Sequence, residues 1–397
     1  MIHVCFGLHD ADGRYSKFTG TTLTSIFENT NSEVTAHILH DNTLTQDNSD
    51  KFSCLATRYN QHVKFYNVEK LCPNEIKILC EKLSDKINMR FSIGAFYRLL
   101  IKKIFDLDKI IYLDSDIIVN LDIAGLWNQD LKNFSLAAVP EISATQNHML
   151  KNKFLLNAGI VKVENYFNSG VILFNLVKLD ENFFSEGVQF LIDNPQCKSP
   201  DQDILNAFFA GNYLKLEQKF NSFVDTEELP AAKKIYHYAG HLMGFEMSDT
   251  LKRLWMENFL KSDWLDVAAM GRLYEKFQER DSEIKNLLIK LTAALNGRKR
   301  AFISFAEYVE PIKIVFNAAN NELLVIENFK DMSHLINTLK KARSKKVFIA
   351  MISNYPLLRE LLTAEGFIEN KDFFDGTKFL ATSHGWRMSS YSFIAAL

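Results

Sequence analysis

The stretch KIIYLDSDIIVNL, residues 109–121, decides the fold predicted for this chain. An apolar run at 110–113 ends in Asp114 and Asp116, and further β-branched residues follow. Short runs of this kind are typical of buried strands. Because side chains at i and i+2 lie on the same side of an extended chain, the two carboxylates can bind one hard divalent cation. Alone, they are better explained by a strand that simply ends in solvent, because short motifs often match by chance.

Strands and helices alternate throughout the chain N-terminal to this stretch. Strands are predicted at 2–8, 34–39, 63–66 and 110–113, and helices at 20–29, 47–59, 74–84 and 95–104. This alternation predicts an α/β fold, with a mostly parallel, Rossmann-like sheet and helices on both faces. Ligands bind beyond the C-terminal ends of the strands in such sheets. His9-Asp10, His40-Asp41 and the two aspartates all follow strands, so we expect a nucleotide site at this edge.

The pattern changes after residue 265. Apolar residues recur at three-, four- and seven-residue intervals from Leu273 to Leu295, which predicts an amphipathic connector helix over 266–297. Beyond it, strands are predicted at 312–316, 322–326 and 347–352, and helices at 331–343 and 355–365. We therefore divide the chain into a catalytic domain (1–265), the connector helix (266–297) and a small α/β domain (298–397).

The composition excludes several classes of protein. The 397 residues are 47% hydrophobic and 24% charged, with a formal net charge of −2, which is ordinary for a soluble globular protein and gives no bias toward nucleic acid. No apolar stretch approaches the roughly 18 residues of a spanning helix, and the N-terminus lacks a signal-peptide pattern. Five cysteines without a C-x-x-C pair favour reduced thiols. A cytoplasmic location is expected.

Four further segments contain polar groups suited to a ligand site. They are FSIGAFYRLLI (91–101) with Arg98, NYFNSGVILFNL (165–176) with Asn168, SPDQDILNAFFAG (199–211) with Asp201 and Gln202, and KIYHYAGH (234–241) with His237. Each also has a structural explanation. Arg98 fits a helix surface, the Asn-Ser-Gly at 168–170 fits a turn before a strand, Ser199 or Asp201 fits a helix cap, and a lone histidine fits the core.

Together, these segments resemble glycosyltransferase family 8, which includes bacterial lipopolysaccharide and lipooligosaccharide glucosyl- and galactosyltransferases and glycogenin. The resemblance covers residues 1–245 and rests on YLDSDIIV…LW, FNSGVILFNL, DQDILN and HYAG in this order. It implies a GT-A type fold and an enzyme that transfers a hexose from UDP-glucose or UDP-galactose, with retention of configuration. The implied acceptor is a glycan or lipid-linked sugar of a bacterial surface polysaccharide or lipopolysaccharide.

The resemblance also assigns roles to individual positions. It implies Mn²⁺, or alternatively Mg²⁺, bound by Asp114, Asp116 and His237. Contacts with the donor nucleotide are implied for His9, Asp10, Arg98, Asp114, Glu141 and Gly240. In the catalytic set, Asn168 lies beside the donor sugar, Asp201 orients its hydroxyls and Gln202 lies close to the anomeric carbon. Gln202 is a poor nucleophile, so we favour front-face substitution in which the departing phosphate takes the acceptor proton.

One position departs from the family pattern. After HYAG the family usually has a lysine that contacts the β-phosphate, and Met243 or a neighbour stands there in this chain. Losing one cation could cost roughly 2–4 kcal/mol of transition-state stabilisation if nothing replaces it. His241, Lys233 and Lys234 are the candidate replacements. The alternative hypothesis is a UDP-sugar-binding or scaffolding protein with weakened turnover.

The C-terminal domain has three candidate roles: organising a homo-oligomer, recognising the acceptor, or contacting the cytoplasmic face of the inner membrane. Basic residues at 298–300 and 340–346 could meet anionic lipid headgroups. A solvated basic helix face is the simpler explanation of these residues.

Overall fold

The computed structural model describes residues 1–89, 92–141, 154–224, 232–239, 249–306, 309–326, 332–352 and 355–377. Tertiary contacts divide the chain into two compact units, Met1–Leu265 and Asp266–Leu397. The predicted connector helix and small α/β domain both lie in the second unit. A separate connecting role for residues 266–297 stays a prediction.

The described residues of the first unit form ten strands. They are β1 Ile2–Leu8, β2 Val34–His40, β3 His62–Asn67, β4 Lys109–Leu113, β5 Ile117–Val119, β6 Leu136–Pro140, β7 Phe167–Asn175, β8 Leu214–Lys215, β9 Ser222–Phe223 and β10 Ile235–His237. Seven form a sheet in the order β3-β2-β1-β4-β7-β6-β8, in which β3, β2, β1 and β4 are mutually parallel and β7 is antiparallel to both neighbours. The predicted mostly parallel sheet is confirmed. A second, three-stranded sheet has the order β5-β10-β9.

Helices connect these strands. They are α1 Arg14–Asn29, α2 Gln46–Arg58, α3 Val68–Leu71, α4 Pro73–Lys82, α5 Ser84–Met89, α6 Ile101–Ile104, α7 Ala124–Trp127, α8 Phe154–Asn157, α9 Phe183–Asp193, α10 Pro200–Phe209 and α11 Asp249–Lys261. Single 3₁₀ turns or short 3₁₀ helices occur at Ile93–Leu100, Val163–Asn165 and Gln218–Phe220. The core between the sheet and the helices is apolar, and its strand residues Ile110, Ile172 and Phe174 are fully buried.

Helix α1 is fastened to β5 by hydroxyl groups. The single hydroxyl proton of Thr22 is shared between the carbonyl oxygens of Ser115, 2.8 Å from Oγ1, and Ile117, 2.7 Å from it. Thr19 Oγ1 lies 2.9 Å from Ser115 Oγ, and the Val119 amide donates to Ser25 Oγ at 2.9 Å. These bonds satisfy buried backbone groups that would otherwise need a neighbouring strand. The loop that carries the two aspartates is therefore held against the first helix.

The structure refines one prediction about the local structure of the first unit and contradicts another. The segment predicted as a helix at 95–104 is helical, but it consists of the 3₁₀ helix Ile93–Leu100 followed by α6. This segment passes so close to β1 that a Cβ on Gly94 would lie 2.8 Å from the His9 nitrogen, and a narrower helix fits there. The turn predicted at 168–170 is instead the start of β7, which pairs with β6 across a bulge.

The second unit is a smaller α/β structure. Its helices are α12 Val267–Leu295, α13 Val309–Phe316, α14 Met332–Ala342 and α15 Tyr355–Ala364, and its strands are β11 Lys299–Phe305, β12 Leu323–Ile326, β13 Lys346–Met351 and β14 Phe373–Asp375. The strands form a parallel sheet in the order β12-β11-β13-β14. The strand predicted at 312–316 is wrong, because parallel β11 and β12 need a crossover and this segment is its helix. Among the described residues, no helix is long and apolar enough to cross a bilayer.

Candidate active site

The candidate site is a cavity of about 350 Å³ at the C-terminal edge of the large sheet. Parallel strands β1 and β4 end here, and the start of β7, the first turn of α10 and the end of β10 complete its walls. The predicted site residues that line it are Arg98, Asp114, Asp116, Asn168, Asp201, Gln202 and His237. Sequence segments more than 100 residues apart therefore converge on one concave surface.

Asp114, Asp116 and His237 form a compact group of potential metal ligands. One ligand atom from each lies within 4.8 Å of the others. His237 Nε2 is 3.4 Å from Asp116 Oδ1 and 3.8 Å from Asp114 Oδ2. Strand β10 brings the histidine here, because His237 pairs with Ile117, the residue directly after Asp116. Two carboxylate oxygens and one imidazole nitrogen suit Mn²⁺ better than Mg²⁺, which prefers oxygen ligands alone.

Gly170 leaves room for these three side chains to converge. A Cβ at this position would lie 2.8 Å from His237 Nδ1 and 2.9 Å from Asp114 Oδ2, and closer still to His237 Cε1. The Gly170 carbonyl also accepts a hydrogen bond from the Asp114 amide at 2.8 Å. The glycine is therefore required by a close approach, since its φ is not in the left-handed region.

His237 is buried, with 4% of its surface exposed. Burial lowers its pKa, but the carboxylates of Asp116 and Asp114 raise it by more, so the net shift of the His237 pKa is upward. Phe223 stacks on the imidazole at 5.3 Å between ring centroids and 21° between planes. The ring is thus fixed in position beside two negative charges, as expected for a side chain that shares a cation with them.

Arg98 joins the metal group to the rest of the cavity. Its guanidinium is 3% exposed and lies 2.7 Å from Asp114 Oδ1 and 3.2 Å from Asp201 Oδ2. It also donates to the Ser169 carbonyl at 2.8 Å and lies over the Tyr112 ring at 4.2 Å. Burial lowers the pKa of Arg98, but the two carboxylates and Tyr112 raise it by more, so the net shift is upward and the guanidinium stays charged. The helix-surface explanation of Arg98 does not apply.

Asp201 and Gln202 lie in the first turn of α10 with defined partners. Ser199 occupies the N-cap position, so Asp201 is not the cap. The Asp201 carboxylate accepts from Ser169 Oγ at 3.3 Å in addition to Arg98. Gln202 Oε1 accepts from Asn168 Nδ2 at 3.0 Å, and Gln202 Nε2 donates to the Tyr166 hydroxyl at 3.0 Å. Both side chains are held rigidly at the cavity wall.

Residues His9 and Asp10 take part in networks beside the cavity. His9 Nδ1 is 2.6 Å from Asp41 Oδ2, and this hydrogen bond raises the pKa of His9. Asp10 is 2% exposed; its carboxylate accepts from the amide and hydroxyl of Ser16 and from Asn48 Nδ2. Asp10 therefore stabilises the N-terminus of α1. Contacts of His9 and Asp10 with a nucleotide stay predictions.

The remaining predicted residues have mixed outcomes. Glu141 follows β6, and its Oε2 lies 3.3 Å from Gln202 Nε2. Gly240, His241 and Met243 lie outside the described residues, so their predicted roles are untested. Among the described residues that line the cavity, Arg98 is the only arginine or lysine.

Other residues at the site were missed from the sequence. Tyr15 and Phe18 of α1 line the cavity and pack edge to face at 6.2 Å. Asn221 accepts from His237 Nδ1 at 3.1 Å, and Tyr166 donates to Asp203 at 3.2 Å. Aromatic residues in a helix and an asparagine in a loop are common everywhere, so no spacing signal distinguished them.

Comparisons with known proteins show what this chain is similar to. The sequence profile of glycosyl transferase family 8 matches residues 8–242. A Haemophilus influenzae protein with a glycosyltransferase name is 30% identical over 246 residues, covering 59% of this chain and 70% of that protein. A lipopolysaccharide 1,2-glucosyltransferase of Escherichia coli is 30% identical over 221 residues, covering 53% of this chain and 60% of the relative. The chain thus spans only part of each relative.

A solved structure supports the fold assignment. The galactosyltransferase LgtC, solved with donor and acceptor sugar analogues, superposes with a TM-score of 0.54 at 20% sequence identity. The match covers 68% of this chain and 99% of LgtC. At this identity the likeness establishes the GT-A type α/β fold only.

Proposed function

Because this chain belongs to glycosyltransferase family 8, we propose that it transfers a hexose from a UDP-sugar to a hydroxyl group of a glycan acceptor, with retention of configuration. Glucose and galactose are the candidate sugars, since similar proteins include a lipopolysaccharide 1,2-glucosyltransferase and a galactosyltransferase. The observation that carries the proposal is the convergence of two carboxylates, a histidine and the Asp201-Gln202 pair on one cavity. The proposed acceptor is a bacterial surface glycan.

Asp114, Asp116 and His237 would hold a divalent cation, with Mn²⁺ favoured by the imidazole ligand. When bound, the cation supplies Lewis-acid stabilisation to the diphosphate of the donor. Arg98 adds a permanent positive charge beside Asp114 and keeps that carboxylate oriented through a 2.7 Å hydrogen bond. Tyr15 and Phe18 offer an aromatic wall on which a nucleoside base can pack.

At the sugar end, the structure favours front-face substitution over a covalent intermediate. The Asp201 carboxylate is engaged by Arg98 and Ser169, so it is suited to accept hydrogen bonds from sugar hydroxyls rather than to attack carbon. Gln202 is held by hydrogen bonds on both its oxygen and its nitrogen. Its amide dipole can stabilise positive charge at the anomeric carbon without forming a bond. The acceptor oxygen then bonds to the anomeric carbon on the face from which the phosphate departs, the carbon–oxygen bond to the phosphate breaks, and the departing phosphate takes the acceptor proton.

The decisive experiment measures thermal stabilisation by UDP with and without Mn²⁺, followed by UDP release from UDP-glucose and UDP-galactose. A ligand that binds only the folded state raises the melting temperature. Asp116→Asn should remove the Mn²⁺-dependent part of the stabilisation, whereas Asp106→Asn, at an exposed carboxylate outside the site, should not. Unchanged stabilisation in Asp116→Asn would overturn the metal assignment. Stabilisation without UDP release would favour the binding-protein hypothesis.

A further inference from the structure

A continuous chain of hydrogen bonds joins His237 to Gln202 through two asparagines. His237 Nδ1 lies 3.1 Å from Asn221 Oδ1, and Asn221 Nδ2 lies 2.9 Å from Asn168 Oδ1. Asn168 Nδ2 in turn lies 3.0 Å from Gln202 Oε1. Asn221 is 1% exposed and follows the 3₁₀ turn Gln218–Phe220. It links His237 of the metal group to Asn168 at the sugar end of the cavity.

Two backbone amides determine which atom donates and which accepts in each hydrogen bond of this series. The Gly170 N–H donates to Asn168 Oδ1 at 2.9 Å, and the Ser169 N–H donates to Gln202 Oε1 at 3.1 Å. Because a backbone N–H can only donate, the atoms that face these two groups must be oxygens. The Asn168 nitrogen therefore faces Gln202. The hydrogen-bond network alone fixes the orientation of this amide.

The same logic fixes the tautomer of His237. Asn168 Oδ1 is an acceptor, so the Asn221 atom that faces it must be the donor nitrogen. Asn221 Oδ1 then faces His237, and Nδ1 of the imidazole must carry the proton that it donates. Nε2 is then the ring nitrogen that faces the carboxylates of Asp116 and Asp114. A histidine that keeps its proton on Nδ1 can present Nε2 to a cation bound between these carboxylates, as a metal ligand must.

We propose that Asn221 is a positioning residue that couples the two halves of the site. Its oxygen keeps the proton of His237 on Nδ1, so that Nε2 can bind the metal. Its nitrogen bonds Asn168, which in turn bonds Gln202, and so keeps both amides in position to contact the donor sugar. Partners of this kind orient a metal-bound histidine and strengthen it as a ligand. The inference rests on the proposed metal-dependent transfer.

Two substitutions of Asn221 separate its two bonds. Asn221→Leu removes both, so the Kd for Mn²⁺ should rise about 10- to 100-fold, and UDP release should fall as well. Asn221→Asp can still accept from His237 but cannot donate to Asn168. Its Kd for Mn²⁺ should stay within about threefold of the wild-type value, because the partner of the ligand is kept. Its UDP release from the sugar donor, measured at saturating Mn²⁺, should nevertheless fall as far as in Asn221→Leu, because both variants lose the bond to Asn168.

The Kd is measured by electron paramagnetic resonance of free Mn²⁺, with Mn²⁺ alone and with UDP. Asn258→Leu is the matched control, because Asn258 is also buried and bonds a backbone carbonyl, in α11. Asn258→Leu should change neither the Kd for Mn²⁺ nor the release of UDP. Equal loss of Mn²⁺ affinity in Asn221→Asp and Asn221→Leu would overturn the inference, as would wild-type UDP release in Asn221→Asp. If Asp116→Asn also binds Mn²⁺ normally, the metal assignment itself fails, which distinguishes the two errors.

Discussion

Replacing Gly170 with alanine tests the metal group most directly, because one added methyl group meets two of its three ligands. The new Cβ would lie 2.8 Å from His237 Nδ1, about 0.6 Å short of the 3.4 Å at which ordinary contacts begin. It would overlap His237 Cε1 more severely and lie 2.9 Å from Asp114 Oδ2. The imidazole must therefore retreat by about 0.6–1 Å, several times the roughly 0.2 Å tolerance of metal–ligand distances.

We expect Gly170→Ala to weaken Mn²⁺ binding by about 100-fold or more. Even substitutions of residues that only hydrogen-bond to a metal ligand typically lower metal affinity by about 10- to 100-fold. Crowding should also lower the free energy of unfolding by about 1–3 kcal/mol. Mn²⁺ binding is measured by paramagnetic resonance and stability by urea denaturation of the same samples. Mn²⁺ affinity within about threefold of wild type would refute the assignment of Asp114 and His237 as joint ligands.

Two other glycines provide controls for this experiment. A Cβ on Gly20 would overlap the Trp264 ring, with one ring atom at 2.8 Å, and would contact none of the three ligands, so Gly20→Ala should mainly destabilise the first unit. A Cβ on Gly125 would come no nearer than 3.9 Å to its closest neighbour, a Phe220 ring atom. Gly125→Ala should change neither stability nor Mn²⁺ affinity. Of the three variants, Gly170→Ala should lose the most Mn²⁺ affinity.

Three further predictions concern stability, each checked by urea denaturation. The pKa of His37 is lowered from 6.5 to about 3 by burial, so the unfolded chain binds the extra proton and stability falls as the pH drops below 6.5. The loss of unfolding free energy should reach about 1.4 kcal/mol at pH 5.5 and be absent in His37→Gln. Equal slopes of stability against pH in the two proteins would contradict this prediction. Arg98→Met removes the buried guanidinium that neutralises two carboxylates and should cost about 3–5 kcal/mol, with Arg98→Lys costing less. A loss below about 1 kcal/mol would exclude a structural ion-pair role. Thr22→Val removes the donor to two buried carbonyl groups and should cost about 1–3 kcal/mol, whereas a neutral outcome would mean that water replaces the hydroxyl.

The N-terminal strands were predictable because their apolar runs are bounded by clear breaks. The runs at 2–8, 34–39 and 110–113 correspond to β1, β2 and β4 within one residue at either end. The apolar run at 312–316 was mistaken for a strand, because a short run cannot distinguish a strand from one face of a helix. Strand β11 was missed because it begins with the charged residues Lys299 and Arg300, which look like a surface cluster.

The candidate site was predictable only where residue type and spacing carry chemical meaning. Asp114, Asp116 and His237 fall in motifs, and the structure brings them together. The Asn-Ser-Gly at 168–170 has strong turn propensity, yet these residues are in a strand because β7 must pair with β4 and β6. Asn221 had no signal, since its role depends on two contacts with residues 16 and 53 positions away in the sequence. Such roles arise from tertiary packing alone.

Because hydroxyl groups join α1 to the aspartate loop and β5, we expect the first helix and this loop to open together as one cooperative unit. The Val119 amide proton is protected by Ser25 Oγ, so it can exchange with solvent only when the helix moves away. Hydrogen–deuterium exchange of peptides from 14–29 and 114–119 should then report the same opening free energy. A ligand that clamps the loop would slow exchange along the whole buried face of the helix.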